Sequence, residues 1–201
     1  MTHYNILLAG VGGQGLMLLS QVMGDACTRS GVKVVVGAQH GLAQRSGSIS
    51  AHVRIGDAYS PLIPYGTADL IIAMDAMEAL RYVEYLKQGG TVVMNSRITH
   101  PPLETAPIVK NRQEKRIYIT LEQVREQLGK VAGRIIAIDA KNVAAQAGNP
   151  RTENIVLLGA ASALSGFPIL AEPLKESVKR VVPESAVEAN LKAFSLGQKA
   201  P

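Results

Sequence analysis

Asn5-Ile6-Leu7-Leu8-Ala9-Gly10-Val11-Gly12-Gly13-Gln14-Gly15 is the stretch that decides the fold. Its opening is short, apolar and closed by glycine, which is the pattern of a strand covered on both faces. Leu19, Val22, Met23, Ala26 and Cys27 then recur at helical spacing, and Gly31 stands where a helix would be capped. Val32 to Val36 reads as a second buried strand. Strand, helix and strand together predict a β-α-β unit with parallel strands and a right-handed crossover.

The pattern continues outward from this unit. Ile49, Ala51, Val53 and Ile55 alternate with Ser50, His52 and Arg54, which predicts a half-exposed strand with His52 facing water. Gly56-Asp57 reads as a turn. Leu70 to Met74 is a further buried strand, and Asp75 with Glu78 has the spacing of a capping box for a helix running to about Lys87. Gly89-Gly90 is expected to stop that helix before a strand at Thr91 to Asn95. Three prolines between His100 and Pro107 predict an irregular loop.

Ile117 to Ile119 suggests a short strand. Thr120 and Gln123 form a second candidate capping box, with Leu121, Val124 and Leu128 on one face of the helix. Arg134 to Ile138 is one more apolar strand. From Asp139, read as a helix N-cap, the pattern is helical, and Gly148, Gly166 and Pro183 divide it into three or four helices. The expected class is α/β: a Rossmann-like open, mostly parallel sheet with helices on both faces and a helical C-terminal part. One domain over 1–201 is expected, with the sheet in 1–140 and the C-terminal helices in 141–201.

Composition narrows the function classes. Apolar residues make up 47% and charged residues 18%, which is globular rather than disordered. With no Trp and two Phe, the core must be aliphatic. The net charge is +5, but the densest basic group, Lys110, Arg112, Lys115 and Arg116, is broken by Glu114 and reads as a solvated loop. No nucleic-acid partner is expected. The single cysteine, Cys27, cannot make an internal disulfide or hold an iron–sulfur cluster, and its place on the inner side of a helix predicts core packing. Neither a signal peptide nor a membrane span is evident, so a cytoplasmic protein with no membrane partner is expected.

Two loops can carry chemistry. Gly10, Gly12 and Gly15, with Gly13 and Gln14 between them, match G-x-G-x-x-G between a strand and a helix. Such a turn brings backbone N–H groups and a helix N-terminus toward a phosphate. The other reading is a tight crossover with no ligand, and both stay open at this point. An NAD site would place an acid at the end of the second strand, where this chain has Val36-Gly37-Ala38-Gln39-His40. The second loop contains His40, Gln44, Arg45, Ser46 and Gly47 and should lie at the same carboxyl edge of the sheet. It could hold an anion or a carbonyl substrate, or be a solvated loop. Asp75, Glu78 and Asp139 are explained by capping. The histidines, His3, His40, His52 and His100, lack metal-ligand spacing, and no local Ser-His-Asp motif appears. Neither a metal site nor a catalytic residue acting within this chain alone is expected.

Gly10-Val-Gly-Gly-Gln-Gly15 before a helix, followed by Gly41-Leu-Ala-Gln-Arg-Ser-Gly-Ser48, resembles the gamma-domain family of 2-oxoacid:ferredoxin oxidoreductases. Within that family the chain is most similar to the beta subunits of indolepyruvate ferredoxin oxidoreductases. The second motif there commonly reads Ala-Gln-Arg-Gly-Gly-Ser, so Ser46 replaces a usual glycine. The resemblance extends through Ser60 to Pro64, Ala68-Asp69, Glu78 to Arg81, Gly148-Asn149, Asn154 to Gly159, and Asn190, Phe194 and Gly197.

The resemblance implies a share in oxidative decarboxylation of an aryl-pyruvate, such as indolepyruvate, to an acyl-coenzyme A with electrons passed to ferredoxin. It implies an oxidoreductase acting on an oxo group with an iron–sulfur protein as acceptor, active only as a complex. Thiamine diphosphate with Mg and the 4Fe-4S clusters would sit on a larger alpha subunit, and coenzyme A would be the co-substrate. The Gly10–Gly15 loop with Gln44 and Arg45 would face that partner. Three alternatives remain: a nucleotide-binding regulatory module, a gamma subunit for another 2-oxoacid such as pyruvate or a branched-chain acid, and, disfavoured by the missing acid, a stand-alone NAD(P) oxidoreductase.

Overall fold

The computed structural model describes residues 3–39, 47–99 and 119–201. The described strands are β1 (His3–Val11), β2 (Val34–Gln39), β3 (Ser48–Gly56), β4 (Ala68–Ala73), β5 (Leu86–Asn95) and β6 (Arg134–Ile138). The helices are α1 (Leu16–Arg29), α2 (Ala76–Arg81), α3 (Leu121–Leu128), α4 (Ala140–Gln146), α5 (Glu153–Ser162), α6 (Ala171–Val181) and α7 (Val187–Gly197). The strands form one sheet in the order β2-β3-β1-β4-β5-β6. β1, β4, β5 and β6 are parallel neighbours, and β3 runs antiparallel to both β1 and β2. The mostly parallel, open α/β sheet expected from the sequence is therefore present.

Several local expectations fail. β2 shares the direction of β1 but is not its neighbour, because β3 returns between them and pairs along all nine residues of β1. Ala51, Val53 and Ile55 of β3 complete the apolar layer over α1, which gives that insertion its driving force. β3 is also not half-exposed: His52 is fully buried and Ser50 and Arg54 nearly so. The segment after Gly56 folds back over their face. Ile63 N–H donates to His52 Nδ1 at 3.1 Å, and the Tyr85 ring stands edge-on to the imidazole at 5.5 Å. Arg54 donates to Asn5 Oδ1 (3.0 Å) and to the carbonyls of Ser60 (3.0 Å) and Leu62 (3.2 Å).

The helix after β4 is shorter than expected. α2 ends at Arg81, a 3-10 turn covers Val83–Tyr85, and β5 already starts at Leu86. Gly89-Gly90 thus lies inside a strand rather than ending a helix. Leu86 pairs with Ala68, the register shifts before Leu70 meets Thr91, and the backbone of Gly89 and Gly90 bonds to Val131 and Gly133. The extra residues are absorbed as an irregularity in the ladder. Ile117 and Tyr118 lie outside the described residues and Ile119 is not in a strand. The proline-rich loop of 100–107 and the basic group at 110–116 also lie outside the described residues.

Each face of the sheet carries its own core. Ile6, Leu8, Leu70, Ile72 and Val93 face α1 and the helices α4 to α7, whereas Leu7, Ala9, Ile71, Val92 and Met94 face α2 and α3. The Thr120–Gln123 capping box closes the start of α3 in both directions, and Asp139 caps α4 through Asn142 N–H. α5 and α7 touch through backbone: a Cβ on Gly159 would lie 2.2 Å from Phe194 O, and one on Gly197 2.1 Å from Val156 O. Cys27 is buried in this core as expected, and burial pushes its thiol up to about 11.

Candidate active-site edge

β1, β4, β5 and β6 all point their carboxyl ends to one edge, and the chain there is shaped by a few side chains. The Gly10–Gly15 turn is tight because Gln14 folds back. Its Oε1 accepts Val11 N–H at 2.8 Å, and its own N–H donates to Val11 O at 3.2 Å. A Cβ on Gly10 would lie 2.7 Å from both Gln14 Oε1 and Leu16 Cδ1. Gly15 caps α1 in the left-handed region, φ 79°, and a Cβ there would strike Asn154 Nδ2 at 2.4 Å. Asn154 Nδ2 instead donates to Gly15 O at 3.2 Å, which ties α5 to the turn. No acid occupies the first turn of α1, so no carboxylate of the helix itself counters its N–H groups and positive dipole end.

A cavity of about 440 Å³ opens beside this turn. Gly13, Gln14 and Gly15 line it together with Arg97, Arg151 and Glu153. Arg97 follows β5. Its Nη1 lies 3.3 Å from Glu153 Oε1, and its Nε is buried with no partner among the described residues. Asn95 Nδ2 holds the other Glu153 oxygen at 2.7 Å. Arg151 is exposed at the entry to α5, in a turn capped by Asn149. Backbone donors at a helix start, with the guanidinium groups of Arg151 and of the Glu153-paired Arg97 lining the same cavity, suit a phosphate or carboxylate.

The structure brings the Gly10, Gly12, Gly13, Gln14 and Gly15 turn together with only part of the second motif. Gly12 N–H donates to Gly47 O at 3.1 Å, joining the two loops directly. The ladder fixes where the second loop leaves and returns, since Gln39 pairs with Ser50 and Ser48 with Val11. Both of those ends lie at the edge of the glycine turn. His40, Gln44, Arg45 and Ser46 lie outside the described residues.

Glu78 departs from its expected capping role. Asp75 does cap α2, through Met77 N–H at 2.9 Å. Glu78 instead turns its carboxylate to Ser48 Oγ and, at 3.2 Å, to Arg81 Nε. Arg97, Arg151 and Glu153 were not singled out from the sequence. For Arg97 a signal existed: it stands two residues beyond the carboxyl end of a parallel strand, where ligands of such sheets bind. Arg151 and Glu153 come from a distant segment and carried no local signal.

With one cysteine, the chain has no set of thiolates to hold an iron–sulfur cluster. The one thiol is buried with its ionisation disfavoured, and no group of three His, Cys, Asp or Glu side chains among the described residues could hold a metal ion. No helix among the described residues is long and apolar enough to cross a membrane.

Known proteins resemble the whole chain. Indolepyruvate oxidoreductase subunit IorB of Pyrococcus horikoshii is 42% identical over 202 aligned residues, spanning 100% of this chain and 96% of that protein. The subunit of the same name from Archaeoglobus fulgidus is 38% identical over 96% of this chain and 92% of its own length. Among solved structures, the keto/oxoacid ferredoxin oxidoreductase gamma subunit of Geobacter sulfurreducens superimposes with a TM-score of 0.70 at 27% identity, covering 98% of this chain and 97% of that one. Residues 5–200 match the family described as pyruvate ferredoxin/flavodoxin oxidoreductase, and the chain belongs to that family.

Proposed function

We propose that this chain is the small subunit of a 2-oxoacid:ferredoxin oxidoreductase that acts on an aryl-pyruvate, in the first instance indolepyruvate. The observation that carries this is similarity along the full length to proteins named as indolepyruvate oxidoreductase subunits. In this reading the complex works in the cytoplasm. It decarboxylates the 2-oxoacid oxidatively, passes the electrons to ferredoxin and leaves the acyl group on coenzyme A. Thiamine diphosphate, its magnesium ion and the 4Fe-4S clusters belong to a larger alpha subunit.

The share of this chain is binding and positioning. The cavity beside Gly13–Gly15 offers a helix start and the guanidinium groups of Arg97 and Arg151 to an anion. Coenzyme A, with its phosphates, supplies anions of that kind. Gln44 and Arg45 belong by sequence to the segment between Gln39 and Gly47, and in this reading Arg45 would present a fixed positive charge to a phosphate or a carboxylate.

The test is kinetic, in the two-subunit enzyme. Arg97→Ala and Arg45→Ala are each expected to lower kcat/KM for coenzyme A or the 2-oxoacid by roughly tenfold or more, the scale of one charge-assisted contact. Unchanged kcat/KM for both substrates in both variants would remove this edge from the active site. Melting shifts of the isolated chain separate the rival: stabilisation by NADP or ATP, with none by coenzyme A, would favour a nucleotide-binding module.

A further inference from the structure

α2 holds both flanks of the candidate site with two buried carboxylates. Asp75 and Glu78 are 1% and 4% exposed. Capping α2 occupies only one oxygen of Asp75. The other, Oδ2, accepts from Thr99 N–H at 2.8 Å and from Thr99 Oγ1 at 2.6 Å. Ala76 N–H donates to Arg97 O at 2.9 Å, so the start of α2 fixes the backbone on which the Arg97 guanidinium is carried.

Glu78 reaches the opposite flank. It accepts the proton of Ser48 Oγ, thirty positions away in the chain. Tyr82 Oη lies 3.0 Å from the same hydroxyl. Ser48 has a single proton and gives it to the carboxylate, so Tyr82 is the donor in that second contact. Ser48 follows Gly47, whose carbonyl receives Gly12 N–H at 3.1 Å. A chain of contacts thus runs from Glu78 through Ser48 and Gly47 to the glycine turn.

A buried carboxylate is a poor way to stabilise a short helix, because an apolar side chain would avoid its desolvation. These two sit at the N-cap and in the first turn, where the helix dipole favours negative charge, and both accept hydrogen bonds from residues distant in the chain, Ser48 of β3 and Thr99 after β5. We propose that α2 is a positioning clamp. In it, Glu78 and Asp75 set the placement of Gly12–Gly47 and of Arg97, and thereby the affinity of this edge for a phosphate-bearing co-substrate. The proposal rests on the reading of this edge as the binding site for coenzyme A.

The experiment compares Glu78→Ala, Glu78→Gln and Asp69→Ala in the complex with the larger subunit. Asp69 is a control carboxylate away from the cavity, bonded to Asn5 N–H (2.8 Å) and Lys87 Nζ (2.5 Å). Glu78→Ala is expected to raise KM for coenzyme A about tenfold with kcat within about twofold. Glu78→Gln, whose amide oxygen still accepts from Ser48, should recover most of that loss. Asp69→Ala should lower thermal stability and leave KM unchanged. If Glu78→Ala does not assemble, Ser48→Ala removes the same contact and is read in the same way. An unchanged KM in these site variants, alongside a raised KM in Arg97→Ala, would overturn the clamp alone. An unchanged KM in Arg97→Ala as well would overturn the binding-site reading and the clamp together.

Discussion

β1 and β3 lie side by side over nine residue pairs, are equally buried, and are built from different chemistry. β1 buries Ile6, Leu7, Leu8 and Ala9, whose two faces feed two aliphatic cores. β3 sends Ala51, Val53 and Ile55 into one of those cores and buries Ser50, His52 and Arg54 on its other face. The contrast shows that alternation reports which side chains are polar, not which are wet. A polar group stays buried where its neighbours supply partners: Ser60, Leu62 and Ile63 supply them to Arg54 and to His52 Nδ1, and Asn5 of β1 to Arg54 Nε, whereas Ser50 Oγ and His52 Nε2 have none among the described residues.

The largest loss of stability is expected in β1. Leu8→Ala should cost about 3 kcal/mol in denaturant unfolding, because a fully enclosed leucine leaves a cavity. Arg54→Met keeps the volume in β3 but deprives Asn5 Oδ1 and two backbone carbonyls of their donor, with an expected loss of about 2 kcal/mol. If that variant is as stable as the parent, the polar face of β3 is packing rather than pairing.

A pH series sharpens the contrast further. Burial, and then the charge of Arg54, holds His52 below its ordinary value of 6.5. The unfolded chain therefore takes up a proton that the folded chain refuses, so this contribution is intact above about 6.5 and is lost as pH falls from there toward the folded value. Melting temperature should drop over that range in the parent and drop less in His52→Gln. The smallest effect is expected at Ser50, whose buried Oγ has no partner among the described residues. Ser50→Ala should change stability by no more than about 0.5 kcal/mol, or raise it slightly.

The same contrast explains what the sequence made legible. β1, the glycine turn and α1 are contiguous, so period and glycine spacing revealed them together. The caps at Asp75, Thr120 and Asp139 were equally local. The insertion of β3 between β1 and β2 was hidden because ladder order depends on contacts between distant residues. The end of α2 at Arg81 was hidden for a similar reason: Leu86 pairs with Ala68 across the sheet, and that pairing overrides local helical preference. At the site, Gly10 to Gly15 could be read directly. Arg151, Glu153 and Asn154 reach the same cavity only because α5 packs against the turn through Asn154 and Gly15.

In the proposed function this chain completes a larger ferredoxin-reducing enzyme. The most direct measurement is to recover the tagged chain from its own cells, assay the eluate for iron and thiamine, and follow indolepyruvate-dependent ferredoxin reduction. Co-purification of a larger iron- and thiamine-containing subunit, with activity that requires coenzyme A, is the predicted result. Recovery of the chain alone, free of iron and inactive toward indolepyruvate, would contradict it.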